Sequence, residues 1–257
     1  MRRKPLAGKG IVVTRPVHQA RELARLISAA GGKPLPYPVI EIRDVEDPAA
    51  LLALIDRLDE FNVAVFVSPN AAEKGMALVR SRRAWPAKLK AAAVGGGGVK
   101  ALARHGVTDV IAPVGRFDSE ALLELPAFAL VYGKRIVVFR GVGGRELLSE
   151  TLRERGALIE YAECYRRVRP EGDAGLLLRA WSRGELHAIT VTSSEGLRNL
   201  LDMIGADGRE RALGTPLFVP HPRIAETASG LGIRKVIVTG PGDEGLLTGL
   251  SNYFNKA

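Results

Sequence analysis

The sequence predicts an α/β protein built as two similar lobes, each a parallel sheet flanked by helices. Three observations predict it. Apolar runs of about four to six residues alternate with segments of helical period along the whole 257-residue chain. The runs are continuously apolar, as expected of strands covered on both faces. The chain also repeats itself once, at a displacement of roughly 125 residues.

The elements follow in order. Gly10–Pro16 (G-I-V-V-T-R-P) contains a buried strand, Ile11–Thr14. A helix, Ala20–Ala30, is ended by Gly31-Gly32, and the next strand, Leu35–Ile42, is stiffened by Pro34, Pro36 and Pro38. Helix Ala49–Leu58, strand Val63–Val67, helix Ala71–Val79, strand Ala91–Val94, helix Val99–His105, strand Val110–Ala112 and helix Glu120–Leu125 come next. The basic run Arg80–Lys90 contains Pro86 and reads as a helix end with its loop. The second copy starts at Arg135 with strand Ile136–Phe139, a Gly/Arg turn, helix Arg145–Arg155, Gly156 and strand Leu158–Ala162. Helix Gly175–Trp181, strand Ala188–Thr192, helix Gly196–Ile204, strand Leu217–Val219, helix Ile224–Gly230, strand Val236–Thr239 and helix Glu244–Tyr253 complete it.

The repeat pairs Asn62–Ala71 with Leu186–Glu195, Ala91–Leu102 with Pro216–Thr227, and His105–Pro113 with Leu231–Thr239. Two copies are too few for a solenoid. We expect one lobe from residues 1–36 with 168–257, and another from 37–167, with connector strands near 34–42 and 158–168. A cleft between lobes is a favoured place for a ligand.

Composition narrows the function. Hydrophobic residues are 46% and charged residues 25%, values of a globular protein with ample core. No apolar run approaches the roughly 20 residues that span a bilayer, and Met1-Arg2-Arg3-Lys4 is not followed by the apolar segment of a signal peptide. The single cysteine, Cys164, excludes an intramolecular disulfide and fits a reducing compartment. The formal charge of +9 serves solubility or a polyanionic partner. Scattered basic residues and an aromatic content of 5% argue against nucleic acid.

Candidate site residues sit where strands give way to helices. Gly240-Pro241-Gly242-Asp243-Glu244-Gly245 is formally G-x-G-x-x-G, but too little chain follows for a second strand with its ribose-binding acid. Asp243 and Glu244 read instead as residues that cap and charge a helix start. Gly141-Val142-Gly143-Gly144 lacks the third glycine of a dinucleotide site. The run Gly95–Gly98, including Gly95 and Gly96, offers bare amides for a carboxylate or phosphate, or simply a permissive turn. Ser68-Pro69-Asn70 reads as a cap with proline in the first turn, and Ser193 or Ser194 as a second cap. Either turn can also hold an anion at the carboxyl edge of a parallel sheet. Arg15 and Arg140 follow equivalent strands, and Arg145 comes shortly after; arginine grips carboxylate as a fork, or forms a surface ion pair. His221, between Pro220 and Pro222 and before Arg223, is placed to donate to an anion. His105 and His187 read as solvated. His18, His105, His187 and His221 have no metal-ligand spacing.

At these residues the chain resembles the uroporphyrinogen-III synthase family over essentially its whole length. The resemblance rests on V-T-R-P (Val13–Pro16), F-V-S-P-N-A (Phe66–Ala71), A-V-G (Ala93–Gly95), D-S-E-A-L-L (Asp118–Leu123), F-R-G-V-G-G-R-E-L-L (Phe139–Leu148), C-Y-R-R (Cys164–Arg167), T-S-S-E-G-L (Thr192–Leu197) and H-P-R-I-A (His221–Ala225). It implies two α/β lobes of flavodoxin- or Rossmann-like topology joined by a two-stranded connector, the first lobe discontinuous. It implies a monomeric cytoplasmic lyase, without metal or cofactor, that cyclises hydroxymethylbilane to uroporphyrinogen III through a spiro intermediate with loss of water. No nucleic acid or membrane partner is implied. Tyr165 matches the tyrosine this family places at the cleft, as an acid or hydrogen-bond donor; its other reading is a connector tyrosine that packs and caps backbone. Gly98 stands where many members have Thr or Ser, and Pro220-His221-Pro222-Arg223 replaces Gly and Thr, so hydroxyl contacts at those turns do not carry over. Outside the family, the reading that competes is a non-catalytic binding protein for a polyanionic small molecule.

Overall fold

The computed structural model describes residues 4–116, 118–144 and 146–256, so Phe117 and the candidate Arg145 lie outside the described residues, as do Met1, Arg2, Arg3 and Ala257. The chain divides into two compact units. The terminal unit comprises residues up to Glu41 and from Val168 onward; the central unit runs Ile42–Arg167.

The terminal unit contains β1 (Gly10–Val13), α1 (Val17–Ala29) and β2 (Lys33–Pro36). The central unit follows with β3 (Glu41–Arg43), α2 (Ala49–Asp56), β4 (Val63–Phe66), α3 (Pro69–Arg82), β5 (Lys90–Ala93), α4 (Gly96–Arg104), β6 (Val110–Ile111), α5 (Ser119–Leu123), α6 (Pro126–Ala129), β7 (Arg135–Gly141), α7 (Leu147–Glu154) and β8 (Leu158–Val168). The chain then returns to the terminal unit with α8 (Gly175–Ser182), β9 (Ala188–Thr190), α9 (Ser194–Met203), α10 (Gly205–Gly214), β10 (Leu217–Val219), α11 (Pro222–Gly230), β11 (Val236–Val238) and α12 (Gly242–Lys256).

Each sheet is doubly wound. The terminal sheet has the order β11-β10-β9-β1-β2, and the central sheet β3-β8-β7-β4-β5-β6. The strand pairs β1/β2, β1/β9, β9/β10, β4/β7, β4/β5 and β7/β8 are parallel. The repeat occupies matching places: β1 corresponds to β7, β2 to β8, β9 to β4, β10 to β5 and β11 to β6. In the terminal unit the order is 2-1-3-4-5 in units of its own strands, the flavodoxin-like arrangement. The central unit has the same order with its starting pair placed last, a circular permutation.

Strand residues alternate between two cores. In the terminal unit Ile11 and Val13 pack with α1 and α12, while Val12, Ile189 and Val191 pack with α8, α9, α10 and α11. In the central unit Ala64, Phe66, Val137 and Phe139 face α2, α3 and α4; Val63, Val65, Ile136 and Val138 face α5, α6 and α7. Covering on both faces accounts for the unbroken apolar runs. The register sets Phe66 beside Phe139, and their rings stack at 4.5 Å. Thr14 Oγ1 donates to the Thr190 carbonyl and Thr190 Oγ1 to the Val12 carbonyl, both at 2.8 Å, fastening β1 to β9 through buried polar groups that are fully used.

Turns obey the same repeat. Gly31 after α1 and Gly156 after α7 have φ of 89° and 84°, the left-handed conformation that ends a helix and that side-chain-bearing residues resist. The expected strand Leu35–Ile42 is interrupted. Its first part pairs as β2 and its last residues as β3: Tyr37 N–H still follows the β1 ladder to the Val13 carbonyl, but Val39 N–H reaches that of Thr14, one residue out of register. Pro34 and Pro36 are tolerated because β2 is an edge strand. Among the described residues no helix is long and apolar enough to cross a membrane.

Candidate active site

In doubly wound sheets ligands bind beyond the carboxyl ends of the strands, where the strand order reverses. In the central unit that point lies between β4 and β7, and in the terminal unit between β9 and β1. The described candidate residues fall along the carboxyl edges of the two sheets.

The central edge is built around Ser68 and Tyr165. Ser68 follows β4 in extended backbone and caps α3, its Oγ accepting from Ala71 N–H at 3.1 Å, with Pro69 in the first turn. Asn70 sits in that same turn. Tyr165 reaches Ser68 from β8, with 3.0 Å between the two hydroxyl oxygens. A β-bulge makes this possible. The register runs Arg140 with Glu163, then Gly141 with Tyr165, so Cys164 is the extra residue. Without the bulge, Cys164 and Tyr165 would point to opposite faces. With it, both enter the core under α3, and Tyr165 is only 4% exposed. Its ring lies on Gly141, where an added Cβ would stand 2.7 Å from Cε2 and 3.2 Å from the hydroxyl. Periodicity could not reveal this, because the bulge breaks the period.

Arg140 takes the other face of the sheet. Its Nε donates to the Gly143 carbonyl at 3.1 Å, its Nη1 to Glu146 at 2.8 Å, and its guanidinium lies 4.6 Å from the Tyr161 ring centre. The side chain is 6% exposed. Arg140 therefore holds the Gly141–Gly144 turn from beneath. Tyr161 and Arg140 both donate to Glu146 and hold its carboxyl below the usual carboxylate range. Gly143 N–H donates to Glu163 at 3.3 Å.

The glycine run opens α4, with Gly95 at the cap and Gly96 in the first turn. None of Gly95–Gly98 has positive φ, so no tight turn explains them. Packing explains two: a Cβ on Gly97 would stand 2.8 Å from Pro69 Cγ, and one on Gly98 3.1 Å from the Ala93 Cβ. Gly96 faces open space.

On the terminal edge Ser193 caps α9, accepting from Gly196 N–H at 3.0 Å. The Ser194 hydroxyl lies 2.8 Å from that of Thr227 on α11, a partner that sequence reasoning missed. His221 caps α11 by accepting Arg223 N–H on Nδ1 at 3.1 Å, so the neutral ring carries its proton on Nε2. Arg223 itself is exposed. Arg15 pairs with Asp243 in the first turn of α12 at 2.5 Å.

Two expectations are corrected. His105 is not solvated: its Nε2 lies 3.0 Å from Glu73, which also takes Arg104. Burial opposes ionisation of Glu73, but those two partners outweigh it and hold the carboxyl low. His187 Nδ1 accepts Gly10 N–H at 3.1 Å, tying the start of β1 to β9. Among the described residues no group of three His, Cys, Asp or Glu is placed to hold a metal ion.

A groove of about 870 Å³ also opens in the central unit, lined by α2, the segment before it and β8, with Glu46, Glu160, Glu163 and Arg166 among its residues. Its acids are engaged within the unit: Glu160 with Arg57 and Arg135, and Glu46 with Arg166 at 2.7 Å. Val142 of the Gly141–Gly144 turn also lines it, and four acids (Glu46, Asp47, Glu160, Glu163) against two arginines (Arg57, Arg166) make it a poor seat for a polyanion.

Comparison with known proteins gives these edges a context. A family model described as uroporphyrinogen-III synthase HemD matches residues 21–248. The uroporphyrinogen-III synthase of Salmonella typhimurium is 33% identical over 241 residues, covering 92% of this chain and 97% of that protein. That of Escherichia coli is 32% identical with the same coverage. In fold, the chain is similar to a crystal structure of a mutant uroporphyrinogen III synthase from Thermus thermophilus, with a TM-score of 0.64 and 17% identity, covering 97% of this chain and all of that one. The family model covers most of the chain and the Salmonella relative 92% of it at 33% identity, and the chain belongs to the uroporphyrinogen-III synthase family.

Proposed function

We infer that the chain converts hydroxymethylbilane, a linear tetrapyrrole, to uroporphyrinogen III, closing the ring and inverting its last pyrrole. The observation that carries this reading is the family match over residues 21–248. The chemistry suits the edges described. The substrate presents eight carboxylates, and the chain offers a formal charge of +9 with helix starts whose amides point outward from strand ends. We assign carboxylate contacts to the starts of α3 (Asn70, in the turn that Ser68 caps) and α4 (Gly95, Gly96) in one unit. In the other we assign them to α9 (Ser193, Ser194), α11 (His221, Arg223) and Arg15. Gly141 and Gly143 shape the turn beside the hydroxyl pair, and Arg140 supports it.

The pyrroles supply the electrons. The nitrogen of the terminal pyrrole expels the hydroxyl and leaves an azafulvene electrophile. The substituted carbon of ring D attacks it to form the spiro intermediate, and fragmentation with recombination gives the inverted ring. What the protein must provide is a proton for the departing oxygen and a fold of the bilane that brings the right carbon nearest. The Ser68–Tyr165 pair is the assigned proton source. The family resemblance supports a monomeric cytoplasmic enzyme that uses no metal or cofactor.

Incubation of the purified protein with freshly prepared bilane tests the reading. Separation of the product isomers is expected to show type III in excess; formation of the spontaneous type I isomer alone would refute it.

A further inference from the structure

Resting on the reaction assigned above, we propose that Ser68 is the catalytic group that meets the departing oxygen, and that Tyr165 acts through it. Two observations carry this. Tyr165 is 4% exposed with its ring against Gly141, whereas Ser68 is half-buried at the open end of β4, beside the strand-order reversal. Hydrogen-bond accounting points the same way. A serine hydroxyl has two lone pairs and one proton. One lone pair takes Ala71 N–H; across the 3.0 Å to Tyr165 either hydroxyl can donate, and we assign the donor role to Tyr165. The serine proton is then the one left to be given outward. In the reverse arrangement Ser68 would donate to Tyr165, and the phenol proton would need a second acceptor in a buried position. Among the described residues the Tyr165 hydroxyl bonds to Ser68.

The step balances. The carbon–oxygen bond breaks as the pyrrole nitrogen pair forms the azafulvene, and the oxygen leaves as water with the Ser68 proton. Ser68 takes the Tyr165 proton. The proton released when the inverted pyrrole regains aromaticity restores Tyr165. Gly141 is a positioning residue, since any side chain there would lift the ring from Ser68.

Single-turnover conversion of hydroxymethylbilane by the whole chain tests this. Ser68→Gly, a residue tolerated at caps, and Tyr165→Phe are each expected to slow the reaction about tenfold or more with KM nearly unchanged. The double variant is expected to be no slower than the slower single one, because both cut one path. Ser68→Thr, which keeps the hydroxyl, is expected to recover most of the rate. Ser68→Asn caps as well as serine but cannot pass the proton; it is expected to be slow and serves if the glycine variant does not fold. In mixtures of light and heavy water the wild-type rate is expected to fall along a curve, as for two protons in flight, and along a line in Tyr165→Phe. A wild-type rate in Ser68→Gly or Ser68→Asn, or losses that multiply in the double variant, would overturn the proposal. A wild-type protein that yields only type I isomer would instead overturn the assigned reaction.

Discussion

Cys164 and Tyr165 are neighbours that both point inward, and the bulge between them and β7 is why. Burial pushes the Cys164 thiol up from its ordinary 9.0 to about 12. An acid whose folded value is raised stabilises the fold fully below its unfolded value, and that contribution is lost as pH climbs toward the folded one. Wild type is therefore expected to lose more stability than Cys164→Ala between about pH 9 and 12, measured by denaturant midpoint. Iodoacetamide at neutral pH is expected to label Cys164 only after unfolding; rapid labelling of the native protein would contradict its burial. At this scale the sequence was partly legible. Ser68 and Ser193 were readable as caps because the S-P and S-S-E patterns are local chemistry. That Arg140 bends beneath its own turn, and that His105 and His187 are tied to Glu73 and Gly10, depends on contacts the local pattern does not contain.

Elements were legible where burial on both faces wrote a continuous apolar run, as in β4, β7 and β10. They were not where packing is slight. In α10 only Gly208 and Ala212 are buried, so no apolar stripe marks it, and α6 is a four-residue turn anchored by Phe128. Gly75 shows how packing overrides propensity. Alanine in mid-helix is usually favoured over glycine by about 1 kcal/mol. On Gly75 of α3, however, a Cβ would meet Phe139 Cδ1 at 2.5 Å, and that ring is fully buried and stacked on Phe66. Gly75→Ala is expected to destabilise the protein by about 1–3 kcal/mol in urea unfolding. A gain in stability would show that the ring can move aside.

At the scale of the whole chain, the order and spacing of short motifs carried the family assignment, although each motif alone is weak. The +9 charge bears on function through the octa-acid substrate. Because exposed charges are screened over about 8–10 Å at physiological salt, KM is expected to rise severalfold between roughly 20 and 200 mM salt, with kcat nearly constant. Steady-state kinetics across that series checks it, and a flat KM would remove the electrostatic role. The permuted second sheet has a consequence for biosynthesis. All strands of the central sheet emerge from the ribosome as one uninterrupted block, whereas β1, with β2 at its side, must wait for β9 to be translated. The insert can thus mature while its host remains half-made, and the earliest-synthesised pair of strands keeps one flank open until the insert is finished.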